Sequence, residues 1–392
     1  MKEIVILSGA RTAIGTFGGS LAGKAPTELG AIAVKEAIER AQVEAGEIGH
    51  VVMGHVINTE PRDMYLARVA AIEASVPEAV PCLTVNRLCG SGAQAIVSAA
   101  QHLMLGDADF AVAGGAEVMS RGPHATQSVR WGQKMGDMGL TDMMIGALTD
   151  PFGTGHMGVT AENVAAEYGI DRAAQDTFAL ESQRRAAAAQ AEGRFADQIV
   201  PVEVKQRREV VAFDTDEHVK ADATPEGLAK LRAVFRKDGS VTAGNASGIN
   251  DGAAALVLGT AKAAEAKGLK PRARLLGYAH AGVRPDIMGI GPVPAVTTLL
   301  KKTGLSVSDF DVIESNEAFA AQACAVTQKL GFDPAKVNPN GGAIALGHPI
   351  GATGAIITIK AVSELERTGG RYGLITMCIG GGQGIALAIE RL

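Results

Sequence analysis

Two cysteines and one histidine stand out because each sits in a glycine-rich turn. Cys89 lies in Asn86-Arg87-Leu88-Cys89-Gly90-Ser91-Gly92, immediately before a run of helical period. A thiol at a helix N-terminus meets the positive end of the dipole and unpaired N–H groups, both of which favour the nucleophilic thiolate. The alternative is a small buried hydrophobe at a turn. Cys378 lies in Met377-Cys378-Ile379-Gly380-Gly381-Gly382-Gln383-Gly384, at the end of an apolar run. Three successive glycines let backbone N–H groups face a ligand. The Lys-Ser/Thr of a phosphate-binding P-loop is missing, and the spacing does not make a dinucleotide fingerprint. His348 is held in Gly347-His348-Pro349-Ile350-Gly351, where Pro349 fixes the chain beside the ring. Asn316-Glu317-Ala318-Phe319 places an amide and a carboxylate at a strand–helix junction, where α/β sites are built. Gly155-His156-Met157-Gly158 and Asn245-Ala246-Ser247-Gly248 read as loops or as pocket lining. Cys82 and Cys324 have apolar neighbours and read as core.

Short apolar runs alternate with helical patterns along the chain. Strands are predicted at 4–7, 51–53, 110–113, 254–258, 273–278, 312–314, 373–377 and 385–389. Helices are predicted at 29–41, 93–105, 293–301, 318–330 and 353–365, with a charged one at 171–190. The alternation implies an α/β fold of layered sheets and helices. The order of elements occurs twice, which predicts two related halves. Gly92-Ala93 pairs with Gly351-Ala352 on this reading, so that Cys89 and His348 take equivalent places. Between about residues 119 and 245 the pattern changes. Six of the twelve methionines (119, 135, 138, 143, 144 and 157) and the single tryptophan, Trp131, fall there. Methionine-rich irregular chain suits adaptable apolar surfaces. The segment is either a surface insertion with a small core of its own or a lid over a flexible ligand.

Composition narrows the function. Lys+Arg 37 against Asp+Glu 42 leaves a net charge of −5, so no basic excess points to nucleic acid or an anionic membrane. Aromatic residues at 4% argue against base-stacking platforms. The 49 glycines cluster at the ends of apolar runs, where tight turns are needed. No stretch approaches the ~20 uninterrupted apolar residues of a membrane helix, and the start lacks the long apolar core of a signal peptide. The four cysteines form no CxxC pattern, so neither a zinc site nor any other metal is expected. A cytoplasmic enzyme is the expectation.

Asn86–Gly92, Asn316-Glu317-Ala318-Phe319-Ala320, Asn338-Pro339-Asn340-Gly341-Gly342 with Gly347–Gly351, and Cys378–Gly382 resemble the four signature blocks of the thiolases, in the family's order. The similarity runs from Arg11-Thr12-Ala13-Ile14-Gly15 to the end. It is closest in kind to bacterial short-chain acetyl-CoA C-acetyltransferases and to the β-ketothiolases of polyhydroxyalkanoate synthesis. The resemblance implies the thiolase fold: two βαβαβαββ halves forming a five-layer α-β-α-β-α core, with an inserted loop domain on the coenzyme A side. The halves would be 1–118 with 246–270, and 271–392, the insertion being 119–245.

The implied activity is a reversible Claisen condensation of two acetyl-CoA, or acetyl-CoA with a short acyl-CoA, to a 3-oxoacyl-CoA. The alternative is a degradative 3-ketoacyl-CoA thiolase of broader chain length. By resemblance, Cys89 carries the acyl group, His348 accepts its proton, and Cys378 takes a proton from the second acetyl-CoA. Asn316 holds a water beside the enolate oxygen, and the N–H groups of Cys89 and Gly380 hold the tetrahedral oxyanion. His156 and Met157 line the pantetheine channel, Ser247 bonds the pantetheine amide, and Ala318 and Phe319 wall the thioester pocket. Lys220 stands where short-chain relatives often have arginine near the adenine, keeping the charge without the planar face. The partners implied are acyl-CoA and CoA as substrates, with no permanent cofactor, and three further copies of the chain in a homotetramer. A β-ketoacyl synthase would want a second histidine where Cys378 stands, and a cysteine hydrolase would not need Cys378.

Overall fold

The computed structural model describes residues 2–206 and 208–392; Met1 and Arg207 lie outside it. The first half runs β1 (Ile4–Arg11), α1 (Pro26–Ala41), β2 (Ile48–Gly54), α2 (Leu66–Glu73), β3 (Cys82–Val85), α3 (Ser91–Leu105) and β4 (Phe110–Val118). The inserted segment carries two long helices, α4 (Met157–Tyr168) and α5 (Arg172–Ala191), before β5 (Asn250–Thr260) returns to the sheet. The second half is β6 (Ala273–Gly282), α6 (Pro292–Thr303), β7 (Val312–Ser315), α7 (Ala320–Leu330), α8 (Thr353–Thr368), β8 (Tyr372–Ile379) and β9 (Gln383–Arg391). All the predicted strands and helices are present. The sequence reading missed β3, only four residues long and half-buried, as well as α2 and α4.

Every residue of β1, β4 and β5 is buried, so these strands read as continuous apolar runs rather than alternating ones. The reason is layering. Helix α1 covers one face of β1, β4 and β5, while α3 covers the other; α6 covers β6 and β9, and α8 packs against β7 and β8 as well as against the first half. Helices α3 and α8 therefore form a middle layer between two sheets. The sheets, β3-β2-β4-β5-β1 and β7-β8-β9-β6, join edge to edge where Val5 and Ile6 meet Arg274 and Ala273.

The duplication is visible in hydrogen-bond register. The pairs β2–β4 and β7–β8 are parallel; β4–β5, β8–β9, β1–β5 and β6–β9 are antiparallel. Even an irregularity repeats: β1 slips against β5 between Ile6 and Ser8, and β6 slips against β9 between Leu275 and Gly277, four residues into each strand. A single parallel bridge, Ile313 to Val337, stands where β2 pairs with β3.

Helix starts correct the expected alignment of the halves. With Ser91 matched to Thr353, Gly92-Ala93 falls on Gly354-Ala355, not on Gly351-Ala352. Cys89 then matches Gly351, and His348 lies three residues upstream. A Gly-Ala pair is too short to set register; the packed helices do. A Cβ on Gly92 would come within 2.8 Å of Ala355 N, and one on Gly354 within 2.1 Å of Ala93 N. The two helices cross backbone to backbone, and only glycine permits it.

The insertion is tied to the core by a buried bidentate pair, Arg11 Nη1 and Nη2 to Asp216 at 2.7 and 2.9 Å. Its methionines divide. Met119 and Met144 pack with Ile57 and Ile350, whereas Trp131 and Met135 are almost fully exposed.

Overpacking the crossing should be costly. Gly354→Ala is expected to lower stability by roughly 1–3 kcal/mol or more, read as a fall in the urea midpoint. Gly146→Ala, in a short helix with nothing within 4 Å, should be neutral or slightly stabilising. Equal midpoints for the two variants would contradict the close crossing.

Candidate active site

The loop ahead of α3 is wound tightly around Cys89. Ser91 Oγ donates to Leu88 O at 2.6 Å and accepts from Arg87 N at 2.8 Å, and Gly90 N donates to Arg87 O. Leu88 takes a left-handed φ of 47°, a conformation a leucine holds only when its surroundings over-determine it. This turns the Cys89 side chain, half-buried, into a large cavity.

The second sulfur arrives from the β8–β9 hairpin. Cys378 is fully buried near the end of β8, and Gly380-Gly381-Gly382 make the turn. Gly381 and Gly382 need positive φ, and a Cβ on Gly382 would lie 2.3 Å from Val283 O. The turn directs the Gly380 N–H at Cys89 Sγ. Arg87 Nη1 to Gln383 Oε1, at 3.2 Å, ties the two sulfur-bearing loops together.

His348 is buried, and its hydrogen bonds define its tautomer. Thr353 Oγ1 donates to Pro349 O at 2.9 Å, so it accepts from His348 Nδ1–H at 2.7 Å. Nε2 is left as the acceptor, and Asn316 Nδ2 approaches it at 3.4 Å. The backbone of the loop is fixed from two sides. His348 N donates to Asn250 Oδ1 at 2.9 Å, and Gly351 N donates to the buried carboxylate of Glu117 at 3.1 Å. Glu117 also accepts Val56 N and Ile57 N, so one side chain orders loops from both halves. Nothing in the sequence distinguished Glu117 from a surface acid.

Asn316 is framed by Glu317, whose carboxylate accepts from Ser182 Oγ, Asn338 Nδ2 and Ile344 N at 2.6, 2.7 and 3.2 Å. The following turn pairs with the exit from the insertion: Ala320 N donates to Asn245 O, Ser247 N donates to Ala318 O, and Ala246 bridges Phe319.

Cys89, His348, Gly380, His156, Met157, Ser247, Ala318 and Phe319 all line one open cavity of about 300 Å³. That volume is at the lower end for a ligand pocket and exceeds what an acetyl group alone would fill. Asn316 and Cys378 sit just behind its wall, against His348 and Cys89 respectively. Leu148, Phe235 and Met288 also line it and were not anticipated; Phe235 is a lone aromatic in a charged stretch, and Met288 carries no pattern. His156 caps α4, its Nδ1 accepting Gly158 N at 3.0 Å, and stacks on Phe235 with centroids 4.7 Å apart. Phe235 meets Phe319 edge-on. The insertion thus supplies one wall of the cavity. Lys220 is exposed, its N–H bonded to Gln183. Among the described residues no His/Cys/Asp/Glu cluster of metal-binding geometry occurs, and no helix is long and apolar enough to cross a membrane.

Burial works against the thiolate expected at the start of α3. Burial pushes the Cys89 thiol up to about 11, only partly offset by the Gly380 N–H and its own. Cys378, buried rather than exposed in its turn, is raised further, by burial first and then by the neighbouring Cys89. His348 is lowered to about 4 by burial. At pH 7 the resting site holds two neutral thiols and a neutral imidazole. Cys82 and Cys324 are half-buried, not core; burial raises both thiols, Cys324 to about 12.

Comparison with known proteins agrees with this architecture. The thiolase N-terminal domain profile matches residues 4–262, and the thiolase C-terminal domain profile matches 269–391. The chain belongs to the thiolase family. It is 65% identical to the β-ketothiolase BktB of Cupriavidus necator over 392 residues, all of both chains. It is 52% identical to an acetyl-CoA acetyltransferase of Chromobacterium violaceum over 99% of this chain and 100% of that one. The crystal structure of the Bacillus anthracis acetyl-CoA acetyltransferase superposes with a TM-score of 0.98 at 48% identity, covering 100% and 99% of the two chains. The human mitochondrial 3-ketoacyl-CoA thiolase in complex with CoA gives 0.97 at 44%, covering 100% and 98%. The five-layer core described above is the thiolase fold.

A neutral resting thiol has a measurable signature. Alkylation of Cys89 by iodoacetamide, without substrate, should be slow at pH 7 and keep rising about tenfold per pH unit toward its pKa of about 11. A plateau reached below pH 8 would mean that the helix dipole outweighs burial.

Proposed function

We propose that this thiolase condenses two acetyl-CoA, or acetyl-CoA and a short acyl-CoA, to a 3-oxoacyl-CoA and CoA, reversibly and through an acyl-cysteine. The observation that carries the reading is that sulfurs from opposite halves lie beside each other, while Cys89 and a neutral histidine whose Nε2 is the acceptor line one cavity. The 65% identity to a β-ketothiolase favours it over a degradative 3-ketoacyl-CoA thiolase of broader chain length.

The neutral resting state dictates how protons move. Cys89 Sγ attacks the thioester carbonyl as its proton passes to His348 Nε2. The N–H groups of Cys89 and Gly380 hold the oxyanion that forms. Cys378 starts as a thiol, and its proton goes to the departing CoA sulfur, so CoA leaves as the free thiol. The site then holds a Cys378 thiolate beside a His348 imidazolium, and acylation has removed the ionisable Cys89 neighbour. When the second acetyl-CoA binds, the Cys378 thiolate removes a methyl proton. Asn316, through a water, and the imidazolium stabilise the enolate oxygen. The carbanion attacks acetyl-Cys89, and the departing Cys89 sulfur recovers its proton from His348. Both cysteines end as thiols. Two acetyl-CoA have become one acetoacetyl-CoA and one CoA, with every proton placed.

His156 and Met157 line the pantetheine arm, Ser247 bonds its amide, and Ala318 and Phe319 wall the thioester. No permanent cofactor is required, because the reacting groups are two thiols and one imidazole. The division into 1–118 with 246–270, 119–245 and 271–392 follows the return of β5 to the first sheet. Assembly as a homotetramer is supported by Val129, Trp131, Met135 and Leu140, apolar and exposed on one segment of the insertion. A cytoplasmic place and a role in polyhydroxyalkanoate synthesis, both implied by the family resemblance, complete the proposal.

Cys378→Gly separates the two half-reactions. Acetyl transfer to Cys89 should survive, while exchange of the acetyl-CoA methyl protons with deuterated solvent should fall at least a hundredfold, within the ~10²–10⁴ typical of a lost general base. Exchange at the parent rate would remove Cys378 from the base role.

A further inference from the structure

Behind the His348–Asn316 pair lies a second, very small cavity, with room for a single water. Glu314, Ser315, Asn316, Thr353 and Lys360 are among the residues that line it. Three buried oxygens of these residues have no hydrogen-bonding protein group: Glu314 Oε1, Ser315 Oγ and Asn316 Oδ1. Glu314 and Asn316 stand two residues apart, the second just past the end of β7, where its N continues the ladder by donating to Thr376 O. Alternate residues of a strand share a face, and both side chains line this one cavity.

We propose that Glu314 is a positioning residue for Asn316, acting through one buried water that donates a hydrogen to Glu314 Oε1 and the other to Asn316 Oδ1. The inference rests on the reading of Asn316 given above. An amide can present either its oxygen or its NH2 to a neighbour. In the resting site His348 Nε2 is an acceptor, because Nδ1 carries the proton given to Thr353, so only the NH2 is compatible with it. Once His348 is protonated in the second half-reaction that preference is lost, and the water holds the orientation. A water donating to the far side of the amide finds an acceptor only when Oδ1 faces it. The water therefore selects the orientation that turns Nδ2 toward the reacting groups.

Glu314 is equipped for this task. Its other oxygen, Oε2, is held by Lys360 Nζ at 2.8 Å, and Lys360 also donates to Gly341 O at 2.6 Å. Both charges are 1% exposed and sit on α8 and β7, the elements that carry Thr353 and Asn316. A buried ion pair of this kind is weak evidence for stability, since an apolar pair of similar shape is often as stable. Its place, with one carboxylate oxygen left facing the cavity, gives it a use in the second half-reaction.

The test combines a crystal structure with two double variants. The parent structure should show a water within about 3.2 Å of both oxygens; its absence would overturn the proposal. Glu314→Leu/Lys360→Met removes the acceptor without stranding a buried charge. It should slow methyl-proton exchange roughly tenfold, the worth of one hydrogen bond, while acetyl transfer to Cys89 stays within about twofold. Glu314→Gln/Lys360→Met restores an oxygen facing the water and should recover most of the exchange. Exchange at the parent rate in the Leu/Met variant would overturn the proposal, as would equal loss of both half-reactions without rescue by Gln. Asn316→Ala, measured alongside, keeps the two readings apart. If it exchanges like the parent, the role of Asn316 fails irrespective of the water.

Discussion

The close crossing of α3 and α8 is the constraint on which the rest of the structure depends. Each half of the molecule could bury its own sheet, but neither could make the site alone. Gly92 and Gly354 let the two backbones touch, so the loops leading into both helices open on the same cavity. Cys89 comes from one loop and His348 from the other. The β8–β9 hairpin then needs only a tight glycine turn to deliver Gly380 N–H to Cys89 Sγ. Glu117 ties the loops of both halves, and Arg87 ties the two sulfur-bearing turns. Covering each sheet on both faces is what makes this crossing internal.

Burial then decides the chemistry. Two effects compete at Cys89: the N–H groups of Gly380 and of Cys89 itself, which favour the thiolate, and desolvation, which opposes it. Desolvation wins, and the same term lowers His348 and raises Cys378. The site is therefore at rest in its uncharged form. Charges arise only during turnover, where aimed N–H groups in a low-dielectric cavity act most strongly. A raised pKa makes the Cys378 thiolate a strong base once its proton has gone to the departing CoA, with no outside group handling the proton.

Much of this was legible in the residues and their spacing. The strands could be read because doubly covered strands are continuous apolar runs, and the helices because their faces repeat every three to four residues. Cys89, Cys378 and His348 could be singled out because glycine turns in a chain without low-complexity tracts need a reason. Other features were hidden for physical causes. The Gly-Ala match misplaced the internal repeat by three residues, since register is set by helix starts and packing. Helix α4 was read as a turn because its cap is His156, whose ring nitrogen takes the place of the usual Ser or Asp oxygen. Glu117 and Lys360 look like surface residues in the sequence, and only the fold shows them buried and, with Glu314 and Glu317, holding site residues in place. The thiol pKa values were misjudged because desolvation depends on every layer above the residue, which no local motif reports.

The central claim is that Cys89, on the first-half side of the crossing, is the sulfur that carries the acyl group. Incubation with acetyl-CoA, rapid quenching in acid and peptide mass mapping would test it most directly. The account predicts a 42 Da adduct, the mass of one added acetyl group, on the peptide bearing Cys89, formed with release of one CoA per site. Acetyl found on Cys378 instead, or on no cysteine at all, would contradict it.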